Sequence, residues 1–582
     1  MIEVRMRHGV TALALSCALL GCQGGLNVQQ QAGDAPASDP QTPVTPIEPD
    51  KEPVDACAPQ QPRVAKVHAR KLSRVEYTHA LEKHFPKEAV KQASGLFGLI
   101  PEDDPSLDTS PGNFERAITK DYAQSTLEIS SKLASIVARD QAILAKIGPA
   151  CLLNEPDMAC VESFVRAFGA TLTGAALDEE QVDQYKALWS VEAEEMATSQ
   201  DRIEVVLGAM LNAPEFVWHL PEVDARHTLT QRAIAQRLSW ASWGAGPDEA
   251  LMEDAAQGAL TDPTVREGHA RRLLNTPQGR KFVRAFFARW FDLIRSVDLN
   301  KPAEFAGMNV DGLYDDMAQE MGDFVEHLVF EQDASYLDLM TSNLEFPSTD
   351  ALAKIMGHVA PSQQAVASTT GRHGLLTRPA VLVHVNDRPA IIHRAVHVLY
   401  RALCIEDLGD NIPVDANDVA NDVLGMLEDT STLSARQLAA QVTSAPACAG
   451  CHAIINPLGF ATSGFGALGE AWEIEKVYAI EDMEVQVLNE HEIDATALLL
   501  LDGQQHQIDG PRDLGARIAS SAQGQQCAAK QVFRISHLRE PSDSDACHVA
   551  GLEQAFKRGD SMLEIFVQNA AHESIQTKLS ER

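Results

Sequence analysis

Cys448-Ala449-Gly450-Cys451-His452 sets two thiols about one helical turn apart, with an imidazole directly after the second. Three chemistries use such a pentapeptide. A covalent haem takes one thiol per vinyl group and the histidine on its iron. A redox or structural disulfide takes the two thiols alone. A zinc half-site takes them with a second ligand pair at metal spacing, and no such pair is evident. The surroundings read as helix and loop rather than the βαβ setting of a thioredoxin-like pair. Ala449 and Gly450 are small enough to let a flat macrocycle lie close. The residues favour one covalent haem c, with Cys448 and Cys451 as anchors and His452 as proximal iron ligand; the disulfide stays open.

The N-terminus says where such chemistry would operate. Arg5 and Arg7 precede an apolar run from Val10 to Leu20, too short to span a bilayer. That is the pattern of a secretory signal over 1–21, and Leu19-Leu20-Gly21-Cys22 resembles a bacterial lipobox. Cys22 is then the lipidated residue. Gln23 is not the aspartate that retains lipoproteins at the inner membrane, so an outer-membrane anchor is expected. Residues 22–62, rich in Gln, Ala, Asp and Pro, are expected to form a disordered tether.

The net charge is −34, and loss of 1–21 with Arg5, Arg7 and Glu3 takes it to −35. That argues against nucleic acid as a partner. It suits a soluble acidic surface, and docking to a basic partner. Membrane contact is expected through the lipid alone.

Beyond 62 the periodicity predicts helices at 71–84, 115–140, 159–168, 179–197, 201–212, 311–331, 388–403, 434–443 and 552–570. Thr230 caps another helix, and Asp262 with Pro263 opens a further one. Phe282, Phe286 and Trp290 recur every four residues beside Phe287 and Phe291, a broad apolar face that reads as packed core rather than cofactor wall. The best strand candidate is 483–488. No Walker loop, dinucleotide fingerprint, G-x-S-x-G or H-E-x-x-H occurs.

The sixth ligand would decide between electron transfer and oxygen or peroxide chemistry. His384 is the first candidate, with Met483 and Met426 behind it; His393 and His397 also lie upstream. Ile454, Ile455, Leu458 and Phe460 could cover an apolar porphyrin edge. The turn expected at Asn456-Pro457 could offer a backbone carbonyl to the other nitrogen of His452.

With Cys17 in the signal, Cys22 lipidated and two thiols on haem, six cysteines remain. An exported chain keeps disulfides. Cys151 with Cys160 and Cys527 with Cys547 are near neighbours and candidate bridges, which leaves Cys57 with Cys404.

The chain resembles the planctomycete cytochrome-type proteins, large exported bacterial proteins built from consecutive domains of unknown function around one haem motif. "KLSRVEYTHALEKHF" is similar to their opening segment, and "FVRAFGATLTGAALDEEQVDQYKALW" to their second module. "AIAQRLSWASWGAGPDEALMEDAAQGAL" and "YLDLMTSNLEFPSTDALAKIMG" resemble the central module. "GRHGLLTRPAVLVH", "IIHRAVHVLYRALC" and "CAGCHAIINPLGFATSGFGALGEAW" resemble the haem-motif module, and "DGPRDLGARIASSAQGQQCAAKQVFRISHLREPSDSDAC" the C-terminal one. The resemblance implies haem on Cys448, Cys451 and His452, and a histidine in many members at position 384. The departures are Asn456 for an acid, Ser463 for a glutamate and Gly466 for an aspartate.

The expected fold is mainly α, a multi-module helical assembly with a small c-type cytochrome-like haem module and a disordered N-terminal tether. The modules run 63–140, 141–222, 223–360, 361–480 and 481–582. The expected function is electron transfer in the cell envelope, with a redox partner protein, serving an oxidoreductase system that could act on an extracellular polymer. A haem-dependent peroxidase or oxygenase, and a surface binding or scaffold protein whose cysteine pair is a disulfide, stay open as alternatives; whether the chain is an enzyme is left undecided.

Overall fold

The structure, a computed structural model, describes residues 70–72, 74–101, 119–173, 176–192, 198–219, 229–293, 310–383, 389–405, 423, 425–426, 430–481, 484–537 and 539–576. The stretches read as signal (1–21) and tether (22–62), with Cys22 and Cys57, and also His384 and Met483, lie outside the described residues. Within them the chain is mainly α. No helix among them is long and apolar enough to cross a membrane.

Helices α1 (Arg74–His84), α2 (Lys87–Ala93), α3 (Lys120–Arg139), α4 (Gln141–Ile147), α5 (Met158–Thr173), α6 (Glu179–Trp189) and α7 (Ser199–Leu211) share one apolar core, from Leu72 to Val217. That core runs through both stretches read as modules 63–140 and 141–222. The caps explain where its helices begin. Thr119 accepts from Tyr122 N, and Asp178 and Gln181 close a reciprocal capping box. A disulfide from Cys151 to Cys160 ties the turn before α5 to that helix.

The second core runs from Leu229 to Ala571. It gathers α8 (Gln231–Trp243), α9 (Glu249–Ala256), α10 (Pro263–Leu274), α11 (Pro277–Trp290), α12 (Leu313–Glu331), α13 (Tyr336–Thr341), α14 (Asp350–Ile355) and α15 (Ile391–Ala402). After these, α16 (Ala435–Val442) packs Ala435 and Ala439 on Ile391 in a small cluster of its own, while the core takes in α17 (Pro446–Phe460), α18 (Gly510–Ser520), α19 (Ala522–His537), α20 (Ala546–Arg558) and α21 (Met562–Ala571). The aromatic face of α11 is its centre. Phe286 meets the Phe566 ring edge-on at 4.8 Å, and Trp290 donates Nε1–H to Arg401 O at 2.7 Å.

Two extended pairs are very short: β1 (Arg70–Lys71) with β2 (Trp218–His219), and β3 (Leu344–Glu345) with β4 (Val366–Ala367). Two antiparallel hairpins follow the motif helix. β5 (Ile474–Glu481) pairs β6 (Glu484–Glu492), and β7 (Thr496–Leu501) pairs β8 (Gln504–Asp509). The single strand expected at 483–488 is thus part of a four-strand region. β7 alternates buried Ala497, Leu499 and Leu501 with exposed Leu498 and Leu500. Its turn, Asp502-Gly503, has positive φ at both residues (51° and 73°), the geometry hairpin turns favour. The Asp502 carboxylate also accepts from Ala522 N and Gln523 N, so the turn caps α19.

Two expectations need correction. The helix at 552–570 is two helices: α20 stops at left-handed Gly559 (φ 74°), and Ser561 caps α21. Cys527 bonds Cys404 across 123 residues, which overturns both expected pairs, Cys527 with Cys547 and Cys57 with Cys404; Cys547 is disulfide-bonded elsewhere. Chain proximity favoured the wrong pair, because packing brings the end of α15 against α19.

Buried ion pairs join the stretch before residue 360 to the one after it. Arg378 Nη1 meets Glu320 Oε1 at 3.0 Å, and Arg372 Nε meets Glu345 Oε1 at 3.2 Å, all four side chains fully buried. His358 Nε2 lies 2.5 Å from Glu345 Oε2. Arg378 also donates to Leu344 O and Gly374 O, which satisfies carbonyls that water cannot reach.

Candidate functional site

The motif lies in α17, whose first residue, Pro446, needs no N–H there. At about 100° per residue, Cys448, Cys451 and His452 fall within a sector of about 100°. Ile455, Leu458 and Gly459 continue the same stripe. From Ile455 onward it is buried, while Cys448, Cys451 and His452 are only half-buried. The apolar stripe thus runs out of the core into a half-open end that carries the two thiols and the imidazole. Neither Cys448 nor Cys451 is in a disulfide.

Neighbouring elements fix this helix. A Cβ on Gly459 would lie 2.3 Å from Ile391 O, so glycine is what lets α17 cross α15 this closely. Arg436 of α16 lies over the Phe460 ring at 4.3 Å from its centroid. Ser434 and Gln437 close a capping box on α16, and Glu475 of β5 accepts from Ala435 N at 2.7 Å. The hairpin therefore anchors the helix that leads into the motif.

The expected turn at Asn456-Pro457 is absent; α17 continues through it. Pro457 removes one helical hydrogen bond, to Ala453 O, on the side away from the buried stripe. Ala453 is exposed, so water can satisfy its carbonyl. The partner of His452 is accordingly a side chain. His452 Nδ1 lies 2.9 Å from Asn456 Oδ1, Asn456 Nδ2 donates to Thr443 Oγ1 at 2.8 Å, and Thr443 Oγ1 donates to Ala439 O at 2.7 Å. The direction follows from the far end. A carbonyl only accepts, so the Thr443 hydrogen is committed to Ala439 and Asn456 must give Thr443 an N–H. Its amide oxygen then faces His452, whose Nδ1 carries the proton. The lone pair of the neutral ring is left on Nε2, where a metal would find it. Asn456 and Thr443 are buried, so water does not compete for this chain.

The residues that depart from the resemblance acquire explanations. Asn456 puts an amide in place of a carboxylate at the imidazole. Gly466 has lost an acid, but Glu470 returns one: a Cβ on residue 466 would lie 1.7 Å from Glu470 Oε1. Glu470 Oε2 accepts from Leu468 N at 2.9 Å. Buried Arg394 spans the same loop, donating to Leu382 O at 2.8 Å and Phe465 O at 2.7 Å. Burial draws its guanidinium pKa down to about 10, against the pull of Glu470. Nothing in the structure explains the loss of the acid at Ser463.

Ile455 and Leu458 belong to the main core, with Ile454, Phe460 and Cys451 packed on its edge. Met426 is 78% exposed. Among the described residues no group of three or more His, Cys, Asp or Glu side chains is placed to hold a metal ion. Thr443 and Ala439 were not anticipated from sequence; the i, i+4 spacing of His452 and Asn456 was the available signal.

No curated protein and no solved structure matches the chain. Residues 229–357 match the family model described as PSD4, a protein of unknown function (DUF1592), and residues 372–475 match PSCyt3, a protein of unknown function (DUF1588). The second match contains Cys448, Cys451, His452, Asn456 and Glu470, and the Glu320–Arg378 pair joins it to the first. The chain thus carries consecutive DUF1592 and DUF1588 domains, families whose names are of the planctomycete cytochrome type.

Proposed function

We propose that the chain is an exported cytochrome-like protein with one covalent haem c, and that it passes electrons in the cell envelope. The observation that carries this reading is the buried chain Ala439–Thr443–Asn456–His452, which leaves the Nε2 lone pair at a half-open helix end beside two thiols outside any disulfide. Cys448 and Cys451 would hold the group through thioethers, and His452 would ligate its iron. Bound there, haem supplies one-electron redox chemistry. Asn456 orients the imidazole and fixes its tautomer, and the core edge at Ile454 and Phe460 keeps water from that side. His384 is the first choice for the sixth ligand, with Met483 and Met426 behind it.

Export is supported by the disulfides Cys151–Cys160 and Cys404–Cys527, which persist in oxidising compartments. With a lipid on Cys22 and the tether 22–62, the body would stand off the outer membrane, docking a redox partner protein through its acidic surface and serving a system that acts on an extracellular polymer. The test is haem staining of the denatured protein, coexpressed with a cytochrome c maturation system. The parent band stains and the Cys448→Ala/Cys451→Ala band does not. A blank parent band from soluble, folded protein overturns the reading.

A further inference from the structure

A cavity of about 640 Å³ opens between α1 and α2 on one side and the ends of α8 and α11 on the other. It lies on elements that take no part in the motif site. Its lining runs against the character of the chain. In a protein of net charge −34 with 17 lysines, four of them, Lys83, Lys87, Lys91 and Lys281, face this one space. Glu82 is the one carboxylate in the lining, and it approaches Lys281 no closer than 4.0 Å.

The lysines are gathered rather than neutralised. Lys87 and Lys91 stand four residues apart on α2, where like charges repel, and neither has an ion-pair partner among the described residues. Lys83 is exposed, and its ammonium is held at the wall, donating to Gly246 O at 2.6 Å and Pro247 O at 2.8 Å. The protein packed around that ammonium draws its pKa down to about 8, opposed by Asp248. A concave wall of one sign focuses its field on the space in front of it.

The remaining wall is mixed, with Val90, Phe97, Trp243 and Ala245 apolar and His79 and Gln278 among its polar groups, and part of it is tied in place. Trp243 spends its Nε1–H on Ala245 O at 2.9 Å and Gly246 O at 3.2 Å, so what it offers a ligand is ring surface. Gln278 donates towards His79 Nδ1 at 3.1 Å and Trp243 O at 3.3 Å, tying α11 to α1 and α8. A wall fixed in this way loses little freedom when a ligand arrives. The volume suits a ligand of one or two rings.

We propose that this cavity binds a small organic polyanion: a ring-bearing body, such as a sugar, with two or more sulfate or phosphate groups. The charges meet Lys87, Lys91 and Lys281, and the ring lies against Trp243. This site stands independently of haem.

The test is calorimetric titration of the full chain at low salt with a trisulfated disaccharide, a sugar bisphosphate, the unsulfated disaccharide and inorganic sulfate. At least one organic polyanion should bind tenfold or more tighter than the neutral disaccharide and than sulfate alone, and the tighter of the two names the anionic group. Lys87→Ala/Lys91→Ala should weaken that binding tenfold or more with no loss of melting temperature, while Lys120→Ala/Lys132→Ala, on exposed lysines of α3, should leave it intact. Equal binding of charged and neutral disaccharide, or equal losses in the two lysine variants, overturns the proposal.

Discussion

His452 donates its Nδ1 proton to Asn456 Oδ1 at 2.9 Å, one turn along the same helix. An amide in this position accepts the proton's hydrogen bond without drawing it off, as a carboxylate would. On an iron bound at Nε2, an imidazole paired in this way would favour the reduced state relative to a carboxylate-paired ring. We expect Asn456→Asp to lower the reduction potential of the haem-loaded protein. The scale is roughly 59 mV for each 1.4 kcal/mol of hydrogen-bond energy that differs between the two oxidation states. Thr443→Val, which frees the Asn456 amide, should broaden the transition and shift it less. Protein-film voltammetry checks both, and an unchanged potential in Asn456→Asp contradicts the assigned chain.

Glu320 and Arg378 hold the DUF1592 and DUF1588 stretches together with no solvent exposure. Breaking such a pair leaves a buried charge uncompensated, at a cost of about 3–5 kcal/mol. Glu320→Gln and Arg378→Met should each lower stability on that scale in urea unfolding. Glu320→Leu/Arg378→Met should recover part of the loss, because neither charge then remains buried. A double variant weaker than the sum of the singles would contradict this.

Cys404 and Cys527 close a loop of 123 residues. Removing a bridge of that reach costs about 2–4 kcal/mol. Non-reducing peptide mapping should recover the Cys404–Cys527 linked peptide, and Cys404→Ala/Cys527→Ala should melt earlier by that amount. A Cys527–Cys547 peptide in the map would contradict the fold.

His537 and His548 face one another across α19 and α20, with His572 stacked on His548 at 4.0 Å. Burial, with Arg539 and Arg237 nearby and only Asp545 and the Asn569 hydrogen bond opposing, holds His537 near a pKa of about 3. Burial, His572 and His537 hold His548 well below its usual range. The unfolded chain binds these protons below about pH 6.5 and the folded chain does not. Stability is therefore complete above about 6.5 and falls as pH drops toward 3, by up to about 1.4 kcal/mol per unit for each histidine. His548→Gln should flatten that slope by one histidine's share in melts from pH 7 to pH 4. A slope equal to the parent's would contradict it.

The helical framework was legible because its starts are written in short side chains: Thr230, Asp262 and Ser434 each accept from the first turn they precede. The hairpins were harder. β5 and β6 carry charged residues along both strands, which blurs the two-residue period. Asp502-Gly503, a strong hairpin signal, was there to be used. The motif was plain as a pentapeptide, but its support was not. Thr443, itself held by Ala439 O, meets Asn456 only because the end of α16 lies beside α17, and Glu470 replaces the acid lost at 466 only through a tight loop. Contacts of that kind depend on packing rather than on any local pattern.

The most direct measurement is the intact mass of the denatured protein, produced with a cytochrome c maturation system and treated with a thiol reagent. The account predicts a mass increased by one haem, with Cys448 and Cys451 unreactive because both sulfurs are in thioethers. An apo mass with two reactive thiols, or one lower by two hydrogens from a Cys448–Cys451 disulfide, would contradict it.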